Sequence, residues 1–499
     1  MPLSKTLGIA IGVIVVLIIG IIFYLSQSPA QPSQTTTPTS PKATTPSPTT
    51  TTPSQTSTSS PTSPTSTPPS PTPSTPTAQP IVFCIIYNPR VSVLKAMAEA
   101  FKLGIKEINE RGGILGRQVV LLEEDHQGKA DLAVAAYRRL VTEKGCKYVF
   151  IDGVSEIALA VMEAGATLYP SYKHVVIVPG QGAMATTLKV INDYDKYKFY
   201  FRPFFPDPDL NYVVAKPYFD IAKNVIGAKK VALFLEDAAW TLCSREGCTV
   251  ETKFGSYKFK PMREWVKEEF GLDVVYEVKI AVGEKNFVPY LEEAARRGAE
   301  FIFVLSSWYT DTTTLTKQWA TSSARDIPLA LYGGPNQWAV FWNITGGAAL
   351  GVITLNYDVP DYPYIKARSL IPKAHALGLR VDSSVHMYYS TAYLLKIVIE
   401  KVGNPDDIEN IIKTLEEVKF SEHTLYPPDS AYLGSKDYRF HSYIAVPGFV
   451  AQFQCGGKIV FISRPDYEGY KIYTPAEVDF SVLRPQDYKS PKVLRETCK

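Results

Sequence analysis

From Ile81 onward, short apolar runs alternate with segments of helical periodicity, and this alternation constrains the fold more than any other feature of the chain. The run IVFCIIY (81–87) is typical of a buried strand, and residues 93–110 carry apolar side chains at helical spacing. The run QVVLLEED (118–125) predicts the next strand. Strands that alternate with helices form parallel sheets covered by helices on both faces, so we predict an α/β fold.

The alternation restarts after Pro203, with the strand-like run KKVALFLED (229–237). A chain of 499 residues is also too long for one ordinary hydrophobic core. We therefore predict two α/β lobes followed by a short tail. The predicted boundaries are 81–203 with 334–447 for lobe 1, 204–333 with 448–485 for lobe 2, and 486–499 for the tail.

The glycine-rich stretch NERGGILGR (109–117) raises the question of a phosphate-binding loop. Such a loop follows a strand and opens a helix, because free amide groups cluster at helix N-termini. This stretch instead ends a predicted helix and leads into a predicted strand. Gly112 and Gly113 suit the end of the helix, and Gly116 suits the turn into the strand. We therefore predict a connection here and no phosphate site.

The segment IKEINERGGILGRQVVLLEEDHQGKADLAVAAYRRLV (105–141) resembles the first β-α-β region of the type I periplasmic binding proteins. More narrowly, it is similar to the branched-chain amino acid (Leu/Ile/Val) binding family of ABC importers. Runs such as YVFIDGVSEIALAVMEAGATLY extend the resemblance over roughly 81–485. The resemblance implies two Rossmann-like lobes that close on a small ligand. It also implies a three-crossing hinge, with crossings near Pro203, Gly333 and Pro447.

Three candidate ligand-binding residues follow predicted strands of lobe 1, where ligands of α/β proteins bind. Ser155 opens a helix after the third strand, and Gln181 and Gly182 follow the fourth. The resemblance implies that these positions hold the α-carboxylate of an amino acid. Relatives often carry a Ser or Thr hydroxyl at the position of Gly182, and this chain has none.

The candidates of lobe 2 are Trp240, Tyr309 and Asp311. The resemblance implies that Trp240 covers the ligand and that Asp311 pairs with its α-ammonium. Tyr309 adds an aromatic wall or a cation–π contact. Asp311 also stands at the start of a predicted helix, where a carboxylate serves equally well as a cap.

Residues 7–25 form an uncharged apolar run of 19 residues, long enough to cross a bilayer core of about 30 Å. We predict a signal or membrane anchor at 1–25, with Lys5 on the cytoplasmic side and everything downstream outside the cell. The alternatives are a cleaved secretory signal and pilin-type processing just before the apolar run. Residues 26–80 are almost wholly Ser, Thr, Pro and Gln and predict a disordered stalk.

Six cysteines in an exported chain predict disulfides, and Cys243 with Cys248 is the best local pair. The other pairings stay open. No clustered Cys/His spacing indicates a metal site, and we expect no cofactor.

These features favour an extracellular solute-binding protein of an ABC importer. Its partners would be an amino acid-like ligand, the permease and ATPase subunits, and the membrane through the N-terminal segment. The alternative is a ligand-sensing ectodomain or an envelope protein with the same fold. No catalytic motif is present, so we expect no enzyme, and a net charge of +3 with scattered Lys and Arg argues against nucleic acid binding.

Overall fold

The computed structural model describes residues 79–420, 422 and 425–498, all within one compact unit. The predicted anchor, 1–25, and the predicted stalk, 26–80 except for Gln79 and Pro80, lie outside the described residues. Within the described ranges, no helix combines the length and the apolar character that a membrane crossing requires.

The first sheet has five parallel strands in the order β2-β1-β3-β4-β5. The strands are almost entirely buried, as expected when helices cover both faces of a parallel sheet, except for the edge strand β2, which is mostly half-buried or exposed. They are β1 (Ile81–Tyr87), β2 (Val119–Asp125), β3 (Tyr148–Ile151), β4 (Val175–Ile177) and β5 (Tyr200–Phe201).

The second sheet has seven strands in the order β14-β13-β12-β11-β10-β6-β9. Five of them pair in parallel, and at one edge β13 pairs antiparallel with both β12 and β14. A separate hairpin pairs β7 with β8. The strands after β5 are β6 (Lys230–Glu236), β7 (Cys248–Thr252), β8 (Gly255–Phe259), β9 (Asp273–Ile280), β10 (Phe301–Leu305), β11 (Leu329–Tyr332), β12 (Ile353–Leu355), β13 (Val450–Phe453) and β14 (Ile459–Phe461).

The helices alternate with these strands, which confirms the α/β prediction. In the first part of the chain they are α1 (Ser92–Glu110), α2 (Ala130–Thr142), α3 (Ser155–Leu168), α4 (Met184–Asn192), α5 (Tyr194–Tyr197) and α6 (Lys216–Ile221). They continue as α7 (Leu242–Glu246), α8 (Met262–Phe270), α9 (Val288–Arg296), α10 (Thr312–Thr321) and α11 (Phe341–Ile344). The last four are α12 (Leu370–Ala376), α13 (Ser383–Val402), α14 (Ile408–Glu417) and α15 (Pro491–Thr497).

The chain passes between the two sheets three times. It leaves the first sheet after β5 and builds the second from β6 to β12. It then returns to the first lobe with α13, which packs closely on α1, since a Cβ on Gly104 would lie 2.9 Å from the Ala392 Cβ. The chain enters the second sheet again at β13.

The middle crossing corrects one predicted boundary. We predict a crossing near Gly333 and assign 334–447 to lobe 1. However, β12 pairs with β11 through Ala330 and Ile353, so the second sheet extends to Leu355. The crossing therefore lies between β12 and α13, because β12 joins the second sheet beside β11 before the chain returns to the first lobe.

The glycine-rich stretch after α1 is a connection, as predicted. The helix ends at Glu110, and β2 begins at Val119. Gly113 has a φ of +79°, and a Cβ there would overlap the carbonyl oxygen of Arg117. Only glycine fits this turn without strain.

Three disulfides cross-link the described residues. Cys243 pairs with Cys248, as predicted, and closes a short loop before the β7–β8 hairpin. The two pairings left open by the sequence are Cys84–Cys146, within the first lobe, and Cys455–Cys498, which fastens the C-terminal helix to the second lobe.

A candidate ligand-binding cleft

The carboxyl ends of the strands in both sheets carry the candidate residues. In the first lobe, Asp152 and Ser155 follow β3, and residues 180–183 follow β4. In the second lobe, Glu236 is the last residue of β6, and the segment 306–311 follows β10. Ligands of open α/β sheets bind at such ends, where loops and helix N-termini converge.

Gly182 and Trp240 meet across the two lobes. A Cβ on Gly182 would lie 3.4 Å from the Trp240 Cβ and 3.8 Å from its ring atom Cε3. Trp240 is half-buried, and its indole N–H donates to Glu236 at 2.8 Å. The structure therefore brings together two residues that the sequence places in different lobes, and their contact lies at the candidate cleft.

Gln181 faces the protein interior. Its side chain is fully buried, and its Nε2 lies 3.4 Å from the Ser155 hydroxyl oxygen. Its Oε1 accepts from Arg202 at 3.3 Å and from Thr186 at 3.0 Å. Gln181 thus positions Ser155, which itself is only 8 % exposed, and its direct contact with a carboxylate stays a prediction.

Arg202 holds the 180–183 turn from the interior of the first lobe. Its guanidinium, buried in the first lobe, donates to the Ala183 carbonyl at 2.7 Å and to the Ser442 hydroxyl at 2.8 Å. Burial lowers the pKa of Arg202 to about 10. Sequence reasoning missed this residue, although an arginine directly after a buried strand is an unusual pattern.

Glu236 organises the second lobe's side of the cleft. Its carboxylate is fully buried and accepts from the Trp240 indole, from the Ser307 amide at 3.1 Å and from the Ser307 hydroxyl at 2.8 Å. The Thr310 hydroxyl donates to it at 2.5 Å. One carboxylate therefore fixes both Trp240 and the 306–310 loop that presents Tyr309.

Tyr309 lies at the opening between the lobes, and its side chain is 47 % exposed. Burial of its hydroxyl, with the nearby carboxylates Asp152, Glu156 and Glu236, raises the pKa of Tyr309 to about 12. Two of these carboxylates belong to the first lobe and one to the second. Tyr309 is therefore within electrostatic reach of acidic side chains from both lobes.

Asp311 caps α10. Its carboxylate accepts from the Thr314 amide at 2.9 Å and forms an ion pair with Lys285, also at 2.9 Å. Burial acts in the opposite direction, but the hydrogen bonds from Thr314 and Lys285 hold the pKa of Asp311 below its usual value. Asp311 thus has protein partners of its own, and an ammonium contact remains a prediction.

An aromatic pair, Trp308 with Trp338, lies at the 306–310 loop. The Trp308 and Trp338 rings lie 4.9 Å apart, and the Trp338 indole donates to Asp382 at 3.3 Å. Asp382 caps α13 through the Ser384 and Val385 amides. Burial outweighs these hydrogen bonds and raises the pKa of Asp382 to about 6. The sequence did not point to Trp338 or Asp382.

Asp207 joins the two lobes beside Gly182. Its amide donates to the Gly182 carbonyl at 2.9 Å, and its carboxylate accepts from the Cys243 amide at 2.6 Å and from the Ser244 hydroxyl at 3.2 Å. Burial raises the pKa of Asp207 to about 7, although the hydrogen bonds from Cys243 and Ser244 oppose the shift.

This shift predicts a pH dependence of stability. A carboxyl group whose folded pKa lies above its unfolded value of about 4 stabilises the fold most below pH 4 and loses that contribution as the pH rises through about 7. Between these values Asp207 lowers the free energy of unfolding by up to about 1.4 kcal/mol per pH unit. Urea unfolding at pH 5 and pH 8 should therefore show a larger loss for the wild type than for Asp207→Asn. Equal losses in the two proteins would contradict this assignment.

The chain matches a known protein family over most of its length. The family model described as periplasmic binding protein matches residues 89–440. The chain belongs to this family. The match confirms the resemblance to the periplasmic binding proteins and the predicted α/β fold of the lobes, and the family consists of solute-binding proteins that catalyse no reaction.

Solved structures of periplasmic binding proteins share the fold. An amino acid ABC transporter substrate-binding protein from Pseudomonas fluorescens is 15 % identical with a TM-score of 0.59, covering 77 % of this chain and 95 % of its own. A branched-chain amino acid transporter substrate-binding protein from Streptococcus pneumoniae, in complex with isoleucine, is 15 % identical with a TM-score of 0.55, covering 76 % and 97 %. A solute-binding protein from R. palustris in complex with 4-hydroxybenzoate is 17 % identical with a TM-score of 0.57, covering 77 % and 96 %. No curated protein matches the chain.

These structural relatives bind different kinds of solute, according to their descriptions: an aliphatic amino acid in one case and an aromatic acid in another. At this level of identity the likeness concerns the fold alone. The side chains of the cleft therefore decide which ligand this periplasmic binding protein binds.

Proposed function

We propose that this protein is the extracellular solute-binding component of an ABC importer, with an amino acid or a related small polar molecule as its ligand. Membership of the periplasmic binding protein family supports the solute-binding role. The contact of Gly182 with Trp240 carries the proposal, because it brings the carboxyl ends of the two sheets face to face. Aromatic rings and hydrogen-bonding groups converge there, as in small-molecule sites.

Ligand binding would work by hinge closure. Three chain segments connect the lobes, and each lobe contributes its own side chains to the cleft, such as Ser155 from the first and Tyr309 from the second. A ligand that contacts both lobes binds the closed form more tightly and so shifts the population toward it. The closed, loaded form would then dock on permease subunits, and an ATPase would drive transport.

The proposal is tested by screening the full-length chain for ligand-induced thermal stabilisation against amino acids, amides, amines and aromatic acids. A ligand at about 100 times its Kd stabilises the folded form by roughly 2.7 kcal/mol, which is a readable shift. We expect at least one class of small polar solute to bind. A folded protein that binds none of them would contradict the importer role.

The predicted ammonium contact of Asp311 has its own test. Asparagine caps a helix as well as aspartate does, so Asp311→Asn should keep α10 intact and remove only the charge. If Asp311 pairs with a ligand ammonium, we expect affinity for amine ligands to fall at least tenfold with no change in melting temperature. Calorimetry of wild type and variant measures both quantities, and unchanged affinity would leave Asp311 as a helix cap.

We also propose that residues 1–25 retain the protein at the membrane, on the strength of the apolar run 7–25 and of Lys5 before it. The full-length chain should stay with the membrane fraction after a high-salt wash. A variant with residues 1–25 replaced by a cleavable secretory signal should instead appear in the soluble exported fraction. A soluble wild-type protein, shortened at its N-terminus by mass spectrometry, would show that the segment is a removed signal.

A further inference from the structure

Asp152, the first residue after β3, belongs to a buried pair with His126. Both side chains are almost fully buried, and Asp152 Oδ2 accepts from His126 Nε2 at 2.6 Å and from the Asn88 amide at 3.2 Å. The Gly128 amide donates to His126 Nδ1 at 3.0 Å. Because Nδ1 is an acceptor, the ring proton sits on Nε2 and points at the carboxylate.

The other oxygen of this carboxylate is unused. Asp152 Oδ1 is buried, and among the described residues no hydrogen-bond partner reaches it. A buried carboxylate oxygen without a donor is costly, and such groups in native structures call for a specific explanation. A ligand that supplies a donor would remove this cost.

The surroundings of Asp152 place it at the cleft. A Cβ on the next residue, Gly153, would lie 2.9 Å from the backbone of Gly180, so Asp152 adjoins the 180–183 turn. From the other lobe, Tyr309 lies in the loop that follows β10, at the carboxyl end of the second sheet, and after burial the charge of Asp152 is the largest cause of its raised pKa.

We propose that the solute carries a protonated nitrogen group, and that this group binds between Asp152 Oδ1 in the first lobe and the Tyr309 hydroxyl in the second. This proposal rests on the proposed solute-binding function and specifies the ligand class. An ammonium or guanidinium group supplies the donor that Oδ1 lacks, and charge-assisted hydrogen bonds are the stronger kind. A ligand carboxylate at the same place would meet Asp152 and Glu156, two groups of its own charge.

An amine bound in the first lobe differs from the sequence prediction. There, Ser155, Gln181 and Gly182 hold the carboxylate of the ligand. Gln181 is turned inward toward Arg202, and Ser155 lies three residues after Asp152 and directly before Glu156. The amine anchor at Asp152 is also independent of Asp311, which lies on the other lobe and is already paired with Lys285.

The test uses the full-length chain and pairs of probes that differ only in the amine. Leucine, leucinamide and agmatine are compared by calorimetry with N-acetylleucine, N-acetylleucinamide and N-acetylagmatine, and 4-hydroxybenzoate serves as an anion without an amine. We expect at least one amine probe to bind and its acetylated partner, where acetylation removes the charge, to bind at least 30-fold more weakly. Acetylagmatine retains its guanidinium group and should bind.

Two variants locate the contact. Asp152→Asn keeps an acceptor for His126 and Asn88 and should weaken amine binding at least 30-fold with a similar melting temperature. Tyr309→Ser changes an exposed side chain and should weaken it about tenfold. The control is Glu416→Gln, which alters another carboxylate–histidine pair of the first lobe, with His441 at 2.8 Å, and should leave affinity within twofold.

The outcomes distinguish a failure of the amine anchor from a failure of the solute-binding function. If no probe of any class binds the folded wild type, the solute-binding function itself fails. If an acetylated probe without a cationic group binds as tightly as its amine partner, if only 4-hydroxybenzoate binds, or if Asp152→Asn binds amines within threefold of wild type, the solute-binding function stands and the amine anchor is wrong.

Discussion

Replacement of Glu236 by alanine is expected to lower the free energy of unfolding by about 3 kcal/mol or more and to abolish ligand binding. The carboxylate is fully buried and accepts from the Trp240 indole, from Ser307 and from Thr310. Alanine leaves these donors without an acceptor, and each unsatisfied buried donor costs about 1–3 kcal/mol. Trp240 and the loop that carries Tyr309 lose their common support, so affinity falls with stability.

Glu292 provides a matched control for this substitution. It also accepts from the amide and the hydroxyl of one serine, Ser323, but it lies on the surface of the second lobe, where water replaces the lost partner. Urea unfolding should show almost no change for Glu292→Ala. A Glu236→Ala protein as stable as Glu292→Ala would mean that the Glu236 hydrogen bonds do not hold the cleft together.

Replacement of Arg202 by methionine is expected to have a comparable effect in the first lobe, about 3 kcal/mol or more. The guanidinium joins Gln181, the Ala183 carbonyl and Ser442, all of them buried acceptors. Methionine fills most of the space but donates nothing, so these acceptors stay unpaired and the 180–183 turn loses its support. Ligand affinity should fall as well, since this turn forms one wall of the cleft.

The control for Arg202 is an arginine with similar bonds at the surface. Arg297 donates to Glu293 at 2.6 Å and to the Val275 carbonyl at 3.3 Å, and its side chain is 47 % exposed. Arg297→Met should change the urea midpoint little, as is usual for surface charges. Equal midpoints for the two methionine variants would show that the buried network around Arg202 adds nothing to stability.

The sequence was sufficient for the architecture because each element carries a local signal. The run 81–87 is apolar throughout, and it forms a buried strand between two neighbours in a parallel sheet. The residues after α1 carry glycines that a helix end and a tight turn require. Periodicity does not say which sheet a short strand joins. For this reason the predicted boundary near Gly333 was wrong, and the second lobe extends to β12.

The candidate cleft was less accessible to sequence reasoning because its polar groups are paired across long separations. Glu236 binds Ser307, 71 residues further on, and Trp338 binds Asp382, 44 residues further on. Gln181 looks like a ligand contact in the sequence, but Arg202 draws its side chain inward. The sequence gives no sign that one carboxylate oxygen of Asp152 is buried without a hydrogen-bond donor among the described residues.

The central claim is that the ligand binds in the cleft beside the contact of Gly182 with Trp240, and two substitutions at Gly182 test it most directly. A Cβ at this position would lie 3.4 Å from the nearest Trp240 atom, an ordinary contact, so Gly182→Ala should bind ligand within a few-fold of wild type. Gly182→Leu should fold normally but push its side chain against Trp240 and fill the cleft. We expect calorimetry with the tightest-binding probe of the solute panel to show a loss of at least 100-fold in affinity for Gly182→Leu. Wild-type affinity in Gly182→Leu would place the ligand elsewhere and contradict the account.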